Sequence, residues 1–157
     1  MNNSKITNLL RGVVALGLLL GISAHASANE CELAIGANDA MQYDKKALSV
    51  PASCTEVTLT LTHTGSLPKT AMGHNWVLSK AEDMAAIAND GMTAGPEHNF
   101  IVDADTRVLA HTSLVGGGES ASVTFSTEGM TQEQAYNFFC SFPGHWTLMQ
   151  GSFSITP

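Results

Sequence analysis

Positive charge is scarce in this sequence. Seven Lys and Arg stand against fourteen Asp and Glu, a net charge of −7. Nucleic-acid binding depends on cations that neutralise phosphates, so that class of partner is excluded. Charge of either sign is thin, at 13% of residues against 44% hydrophobic, which is not the composition of a disordered chain. Internal repeats, linkers and charge blocks are lacking after residue 28, and 157 residues suit one domain. Long hydrophobic runs are missing too. The main apolar run, Val13–Ile22, is shorter than the roughly 20 residues a membrane span needs, which argues against a membrane anchor.

That short run has a different reading. Lys5 and Arg11 precede it and Ala26-Ser27-Ala28 follows, the charged, apolar and small-residue order of a secretory signal. The expectation is a signal peptide over 1–28 and a single exported domain over 29–157. Cys31 follows Asn29-Glu30 instead of small residues, which disfavours a lipid anchor. Cysteines number only three. In an oxidising compartment an odd count implies one bridge and one thiol kept for another purpose. Cys31 and Cys54 are expected to form a structural bridge in the first third, leaving Cys140 alone near the end.

Period-two alternation marks residues 55–62 and 121–126 as half-buried strands. Residues 136–140, 151–155 and 74–78 are aromatic or β-branched runs beside turn residues, again strand-like. One stretch departs from this rhythm. Ser79-Lys80-Ala81-Glu82 reads as a capping box, followed by helix formers over 83–88 and a stop at Gly91. The class is therefore all-β, a sandwich or barrel with one inserted helix.

The lone thiol sits in Cys140-Ser141-Phe142-Pro143-Gly144-His145-Trp146-Thr147-Leu148-Met149. Individually, Cys140 and Met149 would be ordinary core residues and His145 a loop histidine. Together they are a soft donor set on a turn that Pro143-Gly144 can fold back on itself. Two imidazoles and a thiolate in a plane, with a weak axial thioether, suit a blue-copper electron-transfer centre. His74 can supply the second imidazole, because in a strand it shares a side with Trp76. Structural zinc prefers four Cys/His ligands where only three are on offer. A Cys–His nucleophile would need an orienting group and an oxyanion site, and the loop suggests neither.

Beyond this chemistry, Leu67-Pro68-Lys69, Met72-Gly73-His74-Asn75-Trp76-Val77-Leu78, Asp90-Gly91-Met92, Ala110-His111-Thr112 and Phe138–His145 together resemble the azurins, blue-copper proteins of the cupredoxin family. The resemblance covers essentially all of residues 30–156. It implies an eight-stranded Greek-key β-sandwich with a helical flap, and one copper ion per chain. It also implies His74, Cys140 and His145 as equatorial ligands, Met149 as the weak axial ligand, and the Gly73 carbonyl on the opposite side. Asn75 would link the two ligand-bearing loops, and the Phe142 N–H would point at the Cys140 sulfur. Cys31 and Cys54 match the family's disulfide, and Trp76 its buried indole. His63 would lie beside the site without binding metal and His111 on the surface, while His98 has no counterpart.

The function implied is that of a periplasmic one-electron carrier cycling Cu(II)/Cu(I), and not that of an enzyme. Its partners would be c-type cytochromes and periplasmic oxidoreductases such as nitrite reductase. Around His145, residues Leu67, Met72, Met92, Phe142, Pro143, Gly144 and Leu148 are expected to form an uncharged docking patch. Trp146, directly after His145, has three placements open to it: on that patch, over His145, or packed inward.

Overall fold

A computed structural model describes residues 30–157, so the expected signal peptide at 1–28 lies outside the described residues. Alternating side chains build two sheets that face each other. The strands are β1 Glu32–Asn38, β2 Gln42–Tyr43, β3 Ala47–Pro51, β4 Glu56–His63, β5 Val77–Lys80, β6 Val108–His111, β7 Ser120–Ser126, β8 Tyr136–Phe139 and β9 Gln150–Thr156. One sheet has the order β2-β1-β4-β7 and the other β3-β9-β8-β5-β6. In β4 the alternation puts Val57, Leu59, Leu61 and His63 inside. Outside, Thr58, Thr60 and Thr62 pair hydroxyl to hydroxyl with Thr124, Ser122 and Ser120 of β7, at 2.9, 2.8 and 3.0 Å. Such cross-strand pairs reinforce a register that burial already sets.

The all-β sandwich is as expected, and the strand count differs for a simple reason. β2 pairs with β1 in the first sheet, whereas β3, only a few residues later, pairs with β9 in the second. One segment crosses between sheets and is counted twice. Trp76, Leu59, Leu61, Phe138 and Phe153 fill the space between the layers.

The inserted helix is present with different ends. Ser79 is no cap: it lies in β5 opposite Asn137 of β8, and its hydroxyl donates to the Lys80 carbonyl. Sheet pairing takes this residue out of reach of the helix. The helix, α2, spans Met84–Ala94 after Asp83, which makes no side-chain cap bond. Nor does Gly91 end it. Gly91 is buried inside the helix, where a Cβ would run into the Phe100 carbonyl, and the chain turns off at Gly95 with φ +79°. The glycine beside Asp90 is therefore a packing residue, and the stop signal lies at Gly95 instead. The strand expected over 74–78 likewise starts late, at Val77, with His74 held by an isolated bridge to Val115.

Cys31 and Cys54 are bonded, with Cα atoms 5.6 Å apart, and Cys140 is free and buried. The bridge ties the start of β1 to the approach of β4. Replacing both cysteines with Ala is expected to lower unfolding free energy by about 3 kcal/mol, the loop-entropy value for a loop of this size. Denaturant titration measures this, and an unchanged midpoint would show the bridge to be redundant.

Candidate metal centre

β8 ends at Phe139 and β9 begins at Gln150, so residues 140–149 form the loop between two paired strands. Its neck is closed by the Cys140 N–H donating to the Met149 carbonyl at 3.0 Å. Within it, His145 N–H donates to Phe142 O at 3.0 Å and Met149 N–H to His145 O at 2.8 Å. Gly144 takes φ +82°, a left-handed turn that favours glycine and lets the loop fold back over itself. The fold-back puts the Phe142 ring 4.6 Å from the His145 ring. His74 arrives from the other side. It follows the short helix α1, Lys69–Met72, and its backbone exchanges bonds of 3.0 and 2.8 Å with Val115.

These two loops bring His74, Cys140 and His145 together, all three buried, with ligand atoms within 4.8 Å of one another. Cys140 Sγ lies 3.9 Å from His74 Nδ1, 3.7 Å from His145 Nδ1 and 4.0 Å from the Gly73 carbonyl. Met149 is fully buried as well. With metal–nitrogen and metal–sulfur bonds of about 2.0 and 2.3 Å, a trigonal arrangement requires sulfur–nitrogen separations of roughly 3.7 Å. The donors are already spaced for a cation among them.

Protonation points the same way. His74 Nε2 meets the Asn38 carbonyl at 2.9 Å, which fixes the proton there and leaves Nδ1 bare toward the sulfur. Burial pulls His74 down to about 4, and also lowers His145, so both rings are neutral ligands at neutral pH. The same burial pushes the Cys140 thiol up to about 12, while the backbone N–H groups of Asn75 and Phe142 favour its thiolate. A thiolate in this apolar place needs a positive charge beside it. The residues fit a soft metal ion.

Around the donors lies a polar frame. Asn75 Nδ2 donates to Ser141 Oγ at 2.8 Å and Ser141 N–H to Asn75 Oδ1 at 2.9 Å, tying the two loops. Both residues also donate to the Asn99 carbonyl, at 2.9 and 3.0 Å. Trp76 N–H donates to Thr112 Oγ1 at 3.0 Å, and the Tyr43 hydroxyl donates to the Asn75 carbonyl. Burial pushes the Tyr43 phenol well above its ordinary value, so it stays a donor. Sequence reading missed Asn38, Tyr43, Asn99, Thr112 and the bonding of Ser141. Asn38 and Tyr43 lie 36 and 32 residues from their partners, and no local pattern marks them.

The other histidines among the described residues stay out. His63 is buried and stacks on His74 at 4.6 Å, but Gly65 N–H donates to its Nδ1 and its Nε2 meets the Met72 carbonyl, both at 3.0 Å. No lone pair remains for a metal. His98 faces Asp103 on the surface, and His111 is exposed at the end of β6. Of the expected patch, Leu67, Met92, Pro143, Gly144 and Leu148 are exposed, whereas Met72 and Phe142 are half-buried. Trp146 packs inward. Its half-buried ring joins the second core formed by Val77, Met84, Ile87, Ala88, Ile101 and Phe139.

Residues 29–156 match the family model for copper-binding proteins of the plastocyanin/azurin family. The chain is 49% identical to azurin of Bordetella pertussis, over 89% of this chain and 93% of that one. It is 45% identical to azurin of Pseudomonas aeruginosa, over 94% and 99%. Among solved structures, the azurin Az-iso2 of Methylomonas sp. strain J superposes with a TM-score of 0.78 at 43% identity, covering 81% of this chain and 98% of that one.

Proposed function

Because this chain belongs to the plastocyanin/azurin family of copper-binding proteins and is a blue-copper electron carrier, we propose that it works in the periplasm, passing single electrons between redox proteins without turning over a substrate. In this reading His74, Cys140 and His145 would hold the copper ion, with the Met149 thioether and the Gly73 carbonyl as weaker donors. The observation that carries it is the buried His74–Cys140–His145 cluster. Bound copper supplies the Cu(II)/Cu(I) couple. The chain's own residues hold the donors in one arrangement for both oxidation states. Asn75 and Ser141 lock loop to loop, Asn38 fixes the His74 ring, and Phe142 lies against the His145 ring. Little need rearrange when the electron moves, which keeps the barrier low.

His145 is the exit. The residue is 4% exposed, and Pro143, Gly144 and Leu148 stand exposed on the same loop. Lys69, the cation of α1, is paired with Glu119 at 3.0 Å, and the Lys46 ammonium is held by the Leu148 carbonyl at 3.0 Å, so the exposed apolar residues of the loop have one cation beside them. Such a surface suits partners with an apolar contact face, c-type cytochromes and periplasmic oxidoreductases such as nitrite reductase among them. Met72→Lys is expected to slow electron exchange roughly tenfold, equivalent to about 1.4 kcal/mol of lost docking. Salt should change the wild-type rate only modestly, since distant charges are screened beyond about 8–10 Å. Stopped-flow kinetics with a cytochrome partner tests this, and an unchanged rate in Met72→Lys moves the docking face elsewhere.

Export rests on the charged, apolar and small-residue order of residues 1–28. No helix among the described residues is long and apolar enough to cross a membrane. Cell fractionation with mass mapping of the mature N-terminus tests the reading, and an intact Met1 in the cytoplasm rejects it. For the carrier role, the visible spectrum with Cu(II) followed by reductive titration is decisive. Strong blue absorption that bleaches with one electron per chain is expected, and a colourless Cu(II) form rejects the reading.

A further inference from the structure

We propose that the Tyr43 hydroxyl is a positioning group for the metal centre, acting through the backbone of Asn75. This rests on the ligand assignment above. Asn75 is fully buried and works on three sides. Its backbone N–H favours the Cys140 thiolate, and its side chain spans to Ser141 and Asn99. The third side is its carbonyl, which accepts from Tyr43. A buried carbonyl without a partner is strongly disfavoured, so removing the hydroxyl drives this peptide to seek another donor.

Tyr43 is well placed to resist such a shift. It is buried in β2, at the point where the crossing segment leaves the first sheet, and is paired with Ala37 of β1. Its ring meets the Phe138 ring edge-on at 5.6 Å, and Phe138 lies in β8, two residues before Cys140. The neighbouring residue of the same hairpin, Asn38, fixes the His74 ring through its carbonyl. One hairpin therefore braces both His74 and Asn75 from beneath. A hydrogen bond to the cysteine sulfur draws charge from it and favours the reduced metal. Loosening Asn75 weakens that bond and shifts the couple toward the oxidised form.

Tyr43→Phe removes one oxygen and keeps the ring. Two readouts are taken, amide hydrogen exchange at Ser141 in the copper-free protein and the midpoint potential of the copper-loaded protein. Ser141 exchange is expected to quicken about fivefold, what the net worth of one hydrogen bond gives, and the potential to fall. Val57→Ala, in the same core but bonded to nothing at the site, is the control for general destabilisation. Wild-type exchange and potential in Tyr43→Phe overturn the proposal, as does an equal effect in Val57→Ala. If the wild-type protein binds Cu(II) without colour, the ligand assignment fails, while the exchange result in copper-free protein still decides whether Tyr43 holds Asn75.

Discussion

Cys140→Ser is expected to abolish the intense visible absorption of the copper-loaded protein while leaving the fold intact. The two side chains differ in little but the donor atom, so the buried serine occupies the same space. The chemistry is another matter. A thiolate is soft and shares charge with copper, and this sharing produces the colour. A hydroxyl is a hard, neutral donor whose proton is not released in so apolar a place. Burial already holds the Cys140 thiol at about 12 without a cation, and only two backbone N–H groups act against it. The variant's two imidazoles still bind Cu(II), more weakly, with the pale spectrum of nitrogen and oxygen ligation. Absorption spectra of both proteins at equal copper loading make the comparison, with circular dichroism as the check on folding. Retained blue colour in Cys140→Ser would place the thiolate ligand elsewhere, and no other free cysteine exists among the described residues.

How much of this could be read beforehand depends on distance along the chain. The alternation through residues 55–62 is local, and so is the Cys140–His145 spacing on a Pro143-Gly144 turn, so both were legible. His74 lies 66 residues from Cys140, and its partnership was suggested by the company of Trp76 and by family resemblance. The capping-box reading failed for a physical reason. Ser79 has the right neighbours for a cap, but its backbone pairs with Asn137, a partner far away in sequence. Trp146 illustrates the same limit. Its neighbours in the sequence are His145 and exposed Thr147, yet it packs against the core that β5, α2 and β8 share. The frame of Asn38, Tyr43 and Asn99 was invisible because each acts through a backbone carbonyl or a hydroxyl, groups that carry no spacing pattern.

Met149→Leu separates the ligands by strength. The Met149 thioether would be only a weak donor to the copper ion, so its loss should leave copper bound and the blue colour present. The potential should rise. Thioether donation favours Cu(II) somewhat, and a branched alkyl group in its place supplies no electrons and keeps the site dry, which favours the less charged Cu(I). Leu and Met have similar volumes, and Met149 is fully buried, so packing changes little. Its backbone is unaffected too, and the Cys140 N–H still finds the residue 149 carbonyl that closes the loop. A tenfold shift in the relative affinity for the two oxidation states corresponds to about 59 mV for one electron, and a rise on that order is expected. Spectroelectrochemical titration of wild type and variant in the same buffer measures it. A storage site for Cu(I) would respond otherwise, with weakened Cu(I) binding and therefore a lower potential. A fall in potential, or loss of colour along with the thioether, would show that Met149 is a principal ligand or that the plane is built from other donors.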